Sequence, residues 1–293
     1  TADAAAATGG TIPLTVLEGT EPAVNASIDG GSTVPLLVDT GSGGLVIPYT
    51  DLGSNFFTQL EALYNLGLPE NFGISGYSGG VEYVYATYNN VPVDYAGGFD
   101  TNGPVDVELF SWPTSLSSPL SFQEFLNDND VSGILGIGAN TAGPTTTPFE
   151  SYGGVYIDIP HDQLVVTGTN PIPDAAWASG SPVTDVFESV NGGTPLEVTN
   201  DIDSGGVFGT IPSSLVSGSS VPSDTVITVE NAAHQVLYTY TTIGNFDVGT
   251  GTGVSDAPTI VSGTGIDSGV LPFLHHGVYI DYAADKTYFG PLT

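Results

Sequence analysis

Leu36-Leu37-Val38-Asp39-Thr40-Gly41-Ser42 sets a short acidic motif on the end of an apolar run, and Asp201-Ile202-Asp203-Ser204-Gly205-Gly206 repeats the device later in the chain. Each motif leads into a second apolar segment ending in proline, Leu45-Val46-Ile47-Pro48 and Val207 to Pro212. Either tripeptide alone is an ordinary turn in a glycine-rich chain. Together they define two related halves. A second repeat supports this: Gly154-Val155-Tyr156-Ile157-Asp158 recurs as Gly277-Val278-Tyr279-Ile280-Asp281, each copy followed four residues on by another aspartate, Asp162 or Asp285. The shared order places one lobe over residues 11–168 and a second over 169–293, behind a Gly/Ala-rich linker remnant at 1–10.

The intervening sequence is punctuated by 40 Gly and 21 Pro, and its runs favour Val, Ile, Thr, Tyr and Phe. Val81–Tyr88 and Asp224–Glu230 read as strands. Helical signals are confined to Ser54–Leu66, with Ser54 as N-cap and Gly67 past its end, and to single turns at Ser121–Leu126 and Pro212–Val216. The fold class is therefore all-β.

Composition excludes several functions. With 32 acidic residues against one Lys or Arg, the formal net charge is −31, which repels nucleic-acid phosphates and anionic headgroups. Since 40% of residues are hydrophobic and 11% charged, the acidity belongs to a packed protein and not to a disordered tail. No cysteine is present, so disulfides, thiolate sites and cysteine nucleophiles are ruled out. No apolar run is long enough for a membrane helix. The chain also lacks methionine, which reads as a processed or excised part of something longer.

Two aspartates drawn from two halves suit hydrolysis by activated water. Carboxylates held about 3 Å apart cannot both ionise, so the pair shares one proton and titrates as a unit. The ionised member takes a proton from water while the protonated member polarises the scissile carbonyl. The hydroxyls of Thr40 and Ser204 are placed to reach the opposite loop's backbone. Gly41 and Gly205 let amides approach the carboxylates. Asp267-Ser268-Gly269 is a rival second motif, but the apolar run before it is weak, and the expected partner of Asp39 is Asp203.

In this order the landmarks resemble the pepsin-like aspartic proteases. Val24–Pro48 resembles their first active-site hairpin, Ile134-Leu135-Gly136-Ile137-Gly138 the segment crossing beneath it, Asp203–Pro212 the second loop, and Gly269–Gly290 the closing segment. The resemblance spans almost the whole chain and implies two β-barrel-like lobes flanking a cleft for an extended polypeptide. It implies neither metal nor other cofactor. A flap over the cleft is expected at Gly73–Gly80, with Tyr77, Ser78 and Gly79 at its tip. Without cysteine, nearly without Lys or Arg, and preceded by a Gly/Ala linker, the chain is similar to the C-terminal aspartic-protease-like domain of mycobacterial PE-PGRS surface proteins. That similarity implies display at, or secretion to, the cell surface; separately, a monomer is expected.

Two departures from the family pattern bear on activity. Gly206 stands where most members carry a hydroxyl, so Asp203 is expected to lack a supporting hydrogen bond and catalysis to be weak. Val46 stands where many carry a tryptophan that tethers the flap tyrosine, leaving the flap mobile or displaced. A catalytically weak or inactive peptide-binding module therefore stays open beside the endopeptidase, and a structural surface domain behind both. Three further patterns have plainer readings. Gly76-Tyr77-Ser78-Gly79-Gly80 matches a serine-hydrolase motif but precedes a strand, not a helix. His275-His276 reads as surface or core polarity, and Asn127–Asp130 as a solvated acidic turn.

Overall fold

The computed structural model describes residues 8–53, 55–78, 80–243 and 256–292. Most of the proposed linker remnant (1–7), Ser54 and Gly79 lie outside the described residues. In chain order the first half contains β1 (Gly10–Leu17), β2 (Glu21–Ile28), β3 (Thr33–Asp39), β4 (Gly43–Pro48), α1 (Phe56–Leu66), β5 (Asn71–Tyr77), β6 (Val81–Tyr95), β7 (Phe99–Pro113), α2 (Phe122–Asp128), β8 (Gly133–Ile137), β9 (Gly154–Asp158) and β10 (Gln163–Val166). The second contains β11 (Ala176–Ser179), β12 (Val183–Val190), β13 (Leu196–Asp201), β14 (Thr210–Pro212), β15 (Val226–Glu230), β16 (Val236–Thr241), β17 (Thr259–Val261), β18 (Gly265–Asp267), α3 (Leu271–His275), β19 (His276–Asp281) and β20 (Lys286–Leu292). The fold is all-β and pepsin-like, as expected.

The same plan is built twice. Strand β2 turns through Asp29-Gly30 into β3, and β12 turns through Asn191-Gly192 into β13. All four turn residues have positive φ, between 50° and 72°, which is the hairpin geometry that Asp-Gly and Asn-Gly favour. Strand β8 then runs parallel to β3, and β18 runs parallel to β13. Each crossing strand thus lies under the loop that carries an aspartate.

The GVYID repeats meet each other. Strands β9 and β19 pair antiparallel with Tyr156 opposite Tyr279, so the two copies are related by a local twofold. The pairing explains both glycines. A Cβ on Gly154 would lie 2.7 Å from the Tyr279 ring carbon Cζ, and one on Gly277 would lie 2.6 Å from Tyr156 Cζ. Each glycine makes room for the other copy's tyrosine. Together with β10, β20 and β11, these strands join the halves in one continuous 13-stranded sheet. The main core runs across both, from Ile12, Leu36 and Leu135 to Val198, Phe273 and Val278.

The helical readings need two corrections. The cap of α1 is Asn55, whose side chain accepts from the Phe57 and Thr58 amides, while Thr58 Oγ1 accepts the Asn55 amide. This reciprocal box fixes the helix start one residue later than Ser54. Helix α2 starts as read, with Ser121 accepting from Glu124 N–H. The segment after Pro212 forms a turn closed by Leu215 N–H to Pro212 O, and not a helical one. It packs Leu215 and Val216 against the small cluster of Ile211, Val221 and Ile227.

Candidate active site

Asp39 closes β3 and Asp203 follows β13 by two residues, and the two loops face each other across a cavity of about 280 Å³. The loops are locked by reciprocal bonds. Thr40 Oγ1 donates to Ile202 O and accepts the Ser204 amide at 2.8 Å. Ser204 Oγ donates to Val38 O at 2.6 Å and accepts the Thr40 amide at 3.1 Å. Both hydroxyl residues are fully buried, so all four bonds are shielded from water. Each hydroxyl directly follows its aspartate and reaches the backbone of the partner loop.

The carboxyl groups are brought together by one shared donor, and each has a donor of its own. Gly41 N–H donates to Asp39 Oδ1 at 2.9 Å and to Asp203 Oδ1 at 3.1 Å. Gly205 N–H donates to Asp203 Oδ1 at 2.8 Å, and Ser42 Oγ–H to Asp39 Oδ2. Neither glycine admits a side chain. A Cβ on Gly41 would lie 2.5 Å from the Asp203 carboxyl carbon, and one on Gly205 would lie 2.9 Å from Asp39 Oδ1. Burial raises the Asp39 pKa well above the usual carboxylate range, and the neighbouring Asp203 raises it further. Asp203 is likewise raised, by burial first and then by Asp267. Two carboxyls held on one amide donor cannot readily both ionise, which favours a single proton shared between them.

Tyr77 ends β5 and lines the same cavity, together with Ser75 and Ser78. It leads into β6 through the hairpin turn, so the Gly-x-Ser-x-Gly match lies in a strand–turn–strand and not in a strand–turn–helix. Gly79 lies outside the described residues. The position occupied by Val46 provides no tether, yet the ring is held. Tyr77 stacks on Tyr83, Phe122 and Phe125, with ring centroids 5.7–5.8 Å apart. Val46 is buried in that same cluster, which fills the space with a smaller side chain plus aromatics from α2. The expectation of an untethered flap is therefore corrected. Phe122 and Phe125, three apart on α2, were not singled out from sequence, although that spacing marks one helix face.

The second correction concerns Gly206. The space beside Asp203 is not empty, because the Asp267 carboxyl occupies it: a Cβ on Gly206 would lie 2.7 Å from Asp267 Cγ. Asp267 and Asp201 both line the cavity beside Asp203. Burial lifts Asp201 to about 7 and also raises Asp267. In sequence Asp267 stands only as a rival partner for Asp39, and Asp201 only as part of the run before Asp203. A larger apolar groove of about 610 Å³ lies elsewhere, between residues 171–176, 236–239 and 289–292, and contains no carboxyl pair. His276 borders it and bonds through Nδ1 to Gly290 O at 2.7 Å. Among the described residues no group of three or more His, Cys, Asp or Glu has a metal-holding arrangement, and no helix is long and apolar enough to cross a membrane.

The sequence profile of the PE-PGRS C-terminal aspartyl peptidase-like domain matches residues 10–288. The chain belongs to this family. Within it, the chain is 37% identical over 297 residues to PE cleavage protein A of Mycobacterium tuberculosis H37Rv, an alignment covering 94% of the chain and 50% of the relative. It is 39% identical over 301 residues to PE cleavage protein A of Mycobacterium marinum, covering 95% and 51%. The chain thus spans about half the length of these relatives. The family match covers both aspartate loops, the crossing strands β8 and β18, and the paired GVYID strands.

Proposed function

We propose that the chain is an aspartic endopeptidase that hydrolyses polypeptide bonds with a water activated by Asp39 and Asp203. The observation that carries this reading is the single Gly41 amide donating to both carboxyls, at 2.9 and 3.1 Å. Groups that share a donor and a proton can alternate as base and acid without a covalent intermediate. The extended substrate lies between the Tyr77 hairpin and the two loops, with the lobe boundary at residues 168–169. The relatives' printed name speaks of cleavage, which agrees with this reading. The protein works as a monomer at the cell surface or in secreted form. Its net charge of −31 turns away nucleic acid and anionic lipid.

The test is incubation of the chain with a denatured protein and a peptide library from about pH 3 to 7, the range over which a carboxyl pair sheds its first proton. Cleavage with an optimum below neutrality is expected. Absence of cleavage at every pH would favour the second reading, a cleft that binds peptide without cutting it. A flap variant separates binding from chemistry. Tyr77→Leu forfeits aromatic contacts worth about 0.5–1.5 kcal/mol each. It should raise KM roughly tenfold with kcat less affected. An unchanged KM would remove Tyr77 from the substrate's path.

A further inference from the structure

The local twofold of the site is broken at matched positions, and the breaks complement one another. In the first half, β3 and β8 set Leu37 opposite Ile134, and the following loop carries Ser42, which donates to Asp39. In the second half, β13 and β18 set Asp201 opposite Asp267, and the loop carries Gly206. Leu37 and Asp201 each precede their loop's paired aspartate by two residues. Ile134 and Asp267 therefore hold equivalent places. A hydroxyl beside an apolar residue in one half is exchanged for a carboxyl beside a bare backbone in the other.

Gly206 shows that the exchange is geometric. A Cβ there would lie 2.6 Å from Asp267 Oδ2 and 2.7 Å from Cγ. Serine or threonine cannot stand at 206 while Asp267 keeps its place. Asp267 is itself held: Gly269 N–H donates to its Oδ1 at 2.7 Å, and its own N–H donates to Thr210 Oγ1 at 2.9 Å. The next residue, Ser268, accepts the Asp203 amide at 3.0 Å. The side chain of this turn thus holds the Asp203 backbone, and its Ser268 N–H holds Asp201 O at 2.9 Å.

We propose that Asp267 is a positioning residue for Asp203: its carboxyl, seated where a hydroxyl at 206 would stand, shares a proton with Asp203 and holds it towards Asp39. The proposal rests on the Asp39/Asp203 reading of the site. A proton between two carboxyl oxygens makes a charge-assisted bond, of the same kind as the hydroxyl-to-carboxylate contact it replaces. With the proton on Asp267, its O–H donates to Asp203 as Ser42 donates to Asp39. Once Asp267 ionises, it adds a second negative charge beside that of the Asp39/Asp203 pair. The groups facing it are Asp201 from β13, Asp203 and Asp39 from the two loops, and Tyr238 from β16, all of them acids.

Three variants test the proposal. Asp267→Ala empties the seat, Gly206→Ser with Asp267→Ala places a hydroxyl in it, and the isosteric Asp267→Asn keeps a donor but removes the titrating group. Carbon-13 NMR of the carboxyl groups from pH 3 to 9, without substrate, should show the Asp39/Asp203 pair titrating about half a unit lower or more in Asp267→Asn. The value of kcat/KM on a cleaved library peptide should fall about tenfold in Asp267→Ala and recover to within roughly threefold in the double variant. In Asp267→Asn both limbs of the pH profile should move to lower pH. An unmoved NMR titration in Asp267→Asn overturns the proposal. So does a double variant no more active than Asp267→Ala at an equal melting temperature. A wild-type chain that cleaves nothing overturns the peptidase reading alone, and the NMR arm still decides the role of Asp267.

Discussion

Asp39→Asn is expected to lower kcat/KM by roughly 10³–10⁴-fold while leaving the fold intact, because it removes the proton exchange on which general acid–base catalysis depends. The amide oxygen can still accept the Gly41 N–H at the Oδ1 position, and the amide NH2 at the Oδ2 position can donate to Ser42 Oγ, so both loop contacts survive with the second reversed. Only the group that alternates between acid and base is lost. Asp203→Asn should do the same, and the double variant should be hardly worse than either single one, since the pair acts as a unit. Stability should not suffer. Asp39 is buried beside a second carboxyl, and a neutral amide there relieves a repulsion that the native site maintains. The measurement is kcat/KM on one cleaved peptide, beside a melting curve for each variant. An Asp39→Asn protein that keeps a tenth of wild-type activity would refute the mechanism, and one that melts far below wild type would make the activity loss uninformative.

The particular residues explain how far the sequence could be read. Asp39-Thr40-Gly41 and Asp203-Ser204-Gly205 were legible because the chemistry needs those residue types in a fixed local order, and a hydroxyl one residue on must reach the partner loop. The GVYID repeat was legible as repetition, although its meaning, two copies paired about Tyr156 and Tyr279, is a long-range register that no local pattern encodes. Asp29-Gly30 and Asn191-Gly192 carried a matched hairpin signal that would have reinforced the two-half reading. The seat of Asp267 was beyond reach. A missing hydroxyl at Gly206 is visible in sequence, but the group that replaces it comes from a strand far along the chain, aligned only by the β13–β18 pairing. The flap followed the same logic. Val46 announced a missing tether, while the substitute, rings from α2 stacked on Tyr77, depends on tertiary packing.

Stability should be greatest in mild acid and fall steadily from about pH 5 to 8, by an amount that dominates any single surface change. The cause is a set of carboxyls that burial keeps protonated. Glu188 is lifted to about 8, Glu21 and Asp201 to about 7, and Asp51 and Asp106 to about 6. In the unfolded chain all of them ionise near pH 4. Between pH 4 and each folded value the native state therefore holds more protons than the unfolded state, and stability declines as pH rises. Below pH 4 both states are protonated and the loss vanishes. Above the folded value the loss is complete. For Glu188, 3% exposed with no partner for Oε2, the shift corresponds to roughly 3 kcal/mol after allowance for relaxation around a buried charge. That is a large share of the about 5–15 kcal/mol that holds a typical domain together. Self-repulsion among the −31 charges adds in the same direction. The melting temperature should thus drop by about 10 °C or more between pH 5 and 8. Glu188→Gln should recover part of that drop at pH 8 and change little at pH 5, because only at the higher pH does the native side chain oppose folding. A melting temperature that stays level from pH 5 to 8, or a Glu188→Gln effect equal at both, would show that these carboxyls ionise in place and that water reaches them.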